Sequence, residues 1–199
     1  MQRYLNASKY IDYDHPLVAE TAKSLAAPAV GEHDLVRRCF EFVRDEIKHS
    51  WDYQLNPVTC RASDVLRHRT GFCYAKSHLL AALLRANGVP AGLCYQRLSA
   101  GVSGAPYFLH GLTAVFLKDC GWYRMDARGE KPGVSARFTP PIEALPFAPQ
   151  EPAHRDLPEI WPEPLPMVVA ALEAYSDIQL ARAHLPDIEL VGQGFRPPG

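Results

Sequence analysis

The sequence predicts an α+β chain, helical in its first half and built from strands beyond it. Three stretches carry that reading: the amphipathic run DLVRRCFEFVRDEIKH, the apolar run SHLLAALLRANG, and the alternating pair of segments HGLTAVFL and GWYRM. In the first, Val36, Phe40, Val43 and Ile47 recur on one stripe with charges opposite, the mark of a helix with one buried face. In the second, Leu79, Leu80, Leu83 and Leu84 are interleaved with alanines around most of the circumference, which places that helix at the centre of the core. In the third, period-two alternation on both sides of Lys118-Asp119 predicts a β-hairpin.

The remaining elements follow in order. Pro16 opens PLVAETAKSLAA, a first helix with proline in its first turn, and the second helix begins near Gly31. SWDYQLNPVTC breaks the periodicity and reads as a loop, followed by a short helix, ASDVLRHR, capped at Ser63 or Asp64. The central helix stops at Asn87-Gly88, a left-handed exit, and Val89–Tyr95 is a strand. Ser99–Tyr107 is glycine-rich and suited to act as a lid. Residues 136–166 are proline-dense, which predicts an extended wrap around the domain. A late helix is expected over 167–184, and 192–199 as a disordered tail. A chain of 199 residues, 47% hydrophobic, can bury one core without staples, so 1–199 is expected to be a single domain with its core at about 31–135.

Composition narrows the function classes. A formal net charge of −1 with no basic run longer than a pair gives no footprint for nucleic acid or an anionic membrane. No signal-peptide pattern opens the chain, and no stretch is long and apolar enough to span a bilayer. Five cysteines, an odd number without close CxxC spacing, are expected as free thiols of a reducing compartment, so the expected location is cytoplasmic. The partner expected is a peptide, a protein or a small amide.

One cysteine has a chemical setting. A thiol becomes a strong nucleophile as its thiolate, which a helix N-terminus and a nearby imidazolium both favour. Cys73 follows Thr70-Gly71 at the start of the long apolar helix, where unpaired amides point outward and can also receive an oxyanion. Gly71 would let a substrate backbone approach. His110 heads one strand of the hairpin and Asp126 lies on the other, supplying a base and a partner for that base. The two share a face only if the turn between the strands holds an odd number of residues, or if a bulge intervenes. His78 stands five residues after Cys73, poor geometry for a metal pair. Lys76 reads as a snorkelling surface lysine. Cys39 and Cys94 read as packing residues, and Cys60 and Cys120 as turn residues open to solvent.

The blocks GFCYAKSHLLAALLRANGVPAGLCY, HGLTAVF and GWYRMDARG, in this order over about residues 35–135, resemble the core of the transglutaminase-like superfamily. That superfamily includes protein cross-linking transglutaminases, peptide N-glycanases and bacterial cysteine proteases. The resemblance implies a papain-like core, with a cysteine-bearing helix packed on an antiparallel sheet that carries the histidine and aspartate. It assigns Cys73, His110 and Asp126 to a triad that needs no cofactor or metal. It also implies an oxyanion hole completed by an upstream aromatic or amide side chain, with Trp51 beside the Cys73 amide as first choice, and Tyr53, Gln54, Gly71 and Tyr107 as substrate-binding candidates. Where the family commonly has Trp-x-Glu after the histidine, this chain has Gly111-Leu112-Thr113. The implied activity is acyl transfer through a thioester, by hydrolysis of an amide or peptide bond. The alternatives are amine transfer to glutamine and a binding module on the same fold.

Overall fold

The computed structural model describes residues 1–99, 105–149 and 154–188. Part of the expected lid and the whole of the expected tail lie outside these residues.

Helices α1 (Pro16–Ala26), α2 (Gly31–Glu41), α3 (Ser50–Tyr53) and α4 (Ala62–His68) precede the central helix α5 (Cys73–Ala86). Strands β3 (Ala91–Ser99), β4 (Tyr107–Leu117) and β5 (Gly121–Met125) follow it, and β1 (Lys48–His49) and β2 (Thr70–Gly71) form a small parallel pair beforehand. α1 carries proline in its first turn, as expected. α2 starts at Gly31 and runs into a π-helical turn, Phe42–Glu46, which carries Val43 into the core.

Every residue of α5 from Cys73 to Arg85 is buried, which explains why leucine and alanine surround it. Helices α1, α2 and α4 pack on one side of it and strands β3 and β4 on the other. Truncating any of Leu79, Leu80, Leu83 or Leu84, all without solvent exposure, would cost about 2–5 kcal/mol. The helix ends at Asn87, and Gly88 takes the left-handed conformation (φ 73°) expected of it.

The main sheet has the order β5-β4-β3-β6, all antiparallel, where β6 is Arg155–Asp156. The hairpin register pairs Leu117 with Gly121 and Thr113 with Met125. Lys118, Asp119 and Cys120 therefore form a three-residue turn, the odd count needed to put His110 and Asp126 on one face. Odd-numbered positions of β4 meet α5: the Thr113 hydroxyl donates to the Ser77 carbonyl, and a Cβ on Gly111 would touch Tyr74. Leu112 and Ala114, of the even set, pack with Cys94 under Trp122, Leu145 and Ile160.

Described parts of the proline-dense stretch extend the sheet. Leu93 and Trp161 exchange backbone hydrogen bonds of 2.7 and 2.8 Å, and β6 pairs with Gln96 and Arg97. The edge of β3 thereby satisfies backbone groups that pure coil would leave open. Gly92 permits this approach, because a Cβ there would run into Ile160 and the Trp161 carbonyl.

Three other expectations are corrected. The late helix is two, α6 (Pro166–Glu173) and α7 (Ile178–Ala183), because the Asp177 carboxylate accepts from the Gln179 and Leu180 amides and starts a new helix. α4 is not capped by Ser63 or Asp64; its flanking residue is Arg61, and the remote Asp12 carboxylate takes the Ser63 amide (3.0 Å) and hydroxyl (2.5 Å). Cys60 is buried, not open to solvent, whereas Cys120 is exposed. Among the described residues no helix is long and apolar enough to cross a membrane.

Candidate active site

Cys73 is the first residue of α5, where its own amide and that of Tyr74 have no acceptor within the helix. Its side chain is pinned from β4: the Gly111 amide donates to Sγ at 3.4 Å. The close approach requires Gly111, because a Cβ would lie 2.8 Å from the Tyr74 ring and 3.1 Å from its Cα. The Tyr74 hydroxyl donates to the Leu109 carbonyl, a second tie between the start of α5 and β4.

His110, one residue before that glycine, meets the Asp126 Oδ2 through Nε2 at 2.6 Å. The other carboxylate oxygen accepts from the Arg128 amide at 2.8 Å, so both oxygens of Asp126 are fixed. With Nε2 engaged, the other ring nitrogen is left for the sulfur. Burial disfavours charge on His110, but the Asp126 carboxylate and the charge and hydrogen bond of Cys73 outweigh it, raising the imidazole pKa to about 10. Phe147 stands edge-on to the ring at 5.1 Å and shields it from water.

These groups open onto a cavity of about 370 Å³, bounded among others by Cys73, His110, Trp51, Phe147, Arg128 and Arg182. That size suits a few side chains or a short peptide segment. Trp51, one of the candidates, borders this cavity. Tyr53 instead borders a neighbouring charged cleft of about 170 Å³, separated from the first by His49 and Arg128, which line both. Gln54 points away: its Nε2 donates to the Trp51 carbonyl at 2.5 Å, and its Oε1 accepts from the Gln179 amide on α7. Gly71 does not border the cavity; its missing Cβ makes room for Ala75 and Thr59, each 3.1 Å from where it would stand. Tyr107 lies under the Arg97 guanidinium, 4.0 Å from its centre, and its neighbour Phe108 takes the place on the cavity wall.

Lys76 is not a surface lysine. Its side chain is buried, its ammonium donates to the Ile47 and Arg44 carbonyls, and burial lowers its pKa to about 7 against the pull of Asp126. His78 is buried against the Cys60 carbonyl at 2.7 Å, a packing role. His49 is buried edge-on to Phe72, and burial together with Arg128 holds its pKa well below the ordinary histidine value.

Sequence reasoning missed Arg128, Phe147, His49 and Arg182 as site residues. Arg128 had a usable signal, since it lies two residues after the expected aspartate. Arg182 had none, because only the folded position of α7 brings it to Trp51.

The family model described as the transglutaminase-like superfamily matches residues 19–127. Among solved structures, a candidate cysteine protease from Cytophaga hutchinsonii superposes with a TM-score of 0.50 at 19% identity, over 63% of this chain and 40% of that one. The periplasmic domain of TgpA from Pseudomonas aeruginosa gives 0.48 at 23% identity, over 63% of this chain and 46% of that one. The chain therefore spans less than half the length of these structures. No curated protein matches it.

Proposed function

Because the chain belongs to the transglutaminase-like superfamily, we propose that it is a thiol acyltransferase that cleaves an amide through a Cys73 thioester. The observation that carries this reading is one buried cluster in which a thiol at a helix start shares a cavity with a histidine held at 2.6 Å by a carboxylate. The superfamily's usual activities agree with it.

In the proposed cycle Cys73 Sγ forms a bond to the carbonyl carbon while the carbonyl π electrons move to oxygen. The Cys73 amide and Trp51 indole N–H are the proposed donors to that oxyanion, an effect worth about a hundred- to a thousandfold for one donor. Collapse of the intermediate breaks the C–N bond, and the imidazolium of His110 protonates the departing amine. The thioester is then attacked by water, with His110 as base. This second collapse releases an acid and restores the thiolate–imidazolium pair. Asp126 keeps the ring oriented and supports its charge throughout.

Water is preferred here over a lysine-type amine as the second nucleophile. Arg128 and Arg182 border the cavity and no acidic side chain does so among the described residues, an environment that disfavours entry of an ammonium. The test is to incubate the protein with coumarin amides of short peptides and with activated acyl esters. Release of coumarin with an acyl adduct on Cys73, lost in Cys73→Ala, is expected in intact-mass spectra. If no adduct forms with any of them while one binds reversibly, the chain is a binding module. Incorporation of a fluorescent amine into a glutamine peptide faster than hydrolysis would instead assign amine transfer.

A further inference from the structure

Resting on the thiol acyltransferase reading, we propose that the amide substrate carries a carboxylate beside the scissile bond and that Arg182 receives it. Arg182 projects from the last turn of α7. Its guanidinium carbon stands 5.3 Å from the Trp51 ring centroid and 5.6 Å from that of Phe108, and all three side chains border the Cys73 cavity. Aromatic faces hold a guanidinium in place without neutralising it. No carboxylate and no carbonyl accepts from Arg182 among the described residues.

Among the described residues, the acids near it have other partners. Asp177 and Asp187 each lie five residues away along the chain: Asp177 caps the start of α7 through the Gln179 and Leu180 amides, and Asp187 binds Arg97 through two contacts of 2.7 Å. Asp52 is shared by Arg128 (2.7 Å) and Lys131 (2.8 Å), and Asp126 by His110 and the Arg128 amide. Arg97 also lies on an aromatic ring, that of Tyr107, yet it has its acid. Arg182 is the same arrangement with the acid's place opening on the cavity. A planar cation with parallel N–H donors, fixed between two rings, is suited to a carboxylate in two-point contact. The apolar sides of Trp51, Phe108 and Phe147 then fit the carbon skeleton of an acidic peptide segment.

Two alkylating agents of nearly equal size test this without a known substrate: iodoacetate, which carries the carboxylate, and iodoacetamide, which does not. Rate constants for both at Cys73 would be measured by peptide mapping. His110 favours the anion in every variant, so the informative quantity is the change in the iodoacetate to iodoacetamide ratio. Arg182→Gln should lower that ratio about three- to tenfold, and Arg182→Lys, which keeps the charge, should retain most of it. In the unmutated chain, raising NaCl to about 0.5 M should lower the ratio too, since a cavity-mouth charge is screened far more than buried His110. This arm does not depend on the variant's folding. A ratio indifferent to both Arg182→Gln and salt, with Cys73 still reacting faster than Cys120, would overturn the proposal and leave the thiol acyltransferase reading standing. Slow reaction of Cys73 with both reagents, no faster than Cys120, would overturn both.

Discussion

Across the β4–β5 hairpin, the His110 imidazole and the Asp126 carboxylate meet at 2.6 Å with almost no solvent exposure on either side chain. The pair depends on the three-residue turn Lys118–Cys120, which sets the register, and on the Arg128 amide, which holds the second carboxylate oxygen. Neither residue is adjacent to Cys73 in the chain. Gly111 is what brings them to it.

Asp126→Asn keeps the shape of that pair and removes its charge. With the carboxylate gone, burial is opposed only by the sulfur, so the imidazole should give up its proton about one to three pH units lower than the wild-type value near 10. Ring-nitrogen NMR shifts across pH measure this. An unchanged titration would show that Asp126 does not set the charge of His110.

Gly111→Ala places a methyl against the Tyr74 ring and backbone where only hydrogen now fits. The start of α5 and strand β4 must separate, at a cost of about 1–3 kcal/mol, and the sulfur loses its amide donor. We expect a lower Tm together with slower alkylation of Cys73. A variant with unchanged Tm and unchanged alkylation would show that the contact is not needed.

Stability should carry the signatures of two buried bases. The His110 pKa is raised from 6.5 to about 10 by folding, so its contribution is fully present below about pH 6.5 and is lost as pH rises through 10. The Lys76 pKa is lowered from 10.5 to about 7. Below pH 7 the folded chain must bury that charge, and the penalty is relieved as pH rises from 7 towards 10.5. Lys76→Met removes the second effect alone. Urea unfolding at about pH 6, 8 and 9.5 should therefore show the wild type gaining on the variant as pH rises, and a constant difference would contradict a buried neutral lysine.

Much of this architecture was legible in the sequence because its signals are local. The leucine pattern of α5, the alternation around Lys118-Asp119 and the Asn87-Gly88 exit each specify geometry within a few residues. Parity then carried the inference from a hairpin to a shared face for His110 and Asp126. What sequence reasoning missed depends on long-range placement. Lys76 reads as a surface residue until the Arg44 and Ile47 carbonyls close over it. Cys60 lies near a turn, but the cluster around Ile11, Val65 and Leu79 buries it. Gln54 and Tyr107 had suitable chemistry in suitable segments, yet Gln179 and Arg97 claim their side chains.

Activation of Cys73 by His110 is tested most directly by the rate of iodoacetamide alkylation at pH 6. Cys39, Cys60 and Cys94 are buried with thiol pKa values pushed up to about 12, and Cys120 is exposed with its pKa raised as well. We predict that Cys73, although buried, is labelled well ahead of all four and that His110→Gln abolishes its lead. Labelling of Cys73 no faster than Cys120 in the wild type, or a lead that survives His110→Gln, would contradict the account.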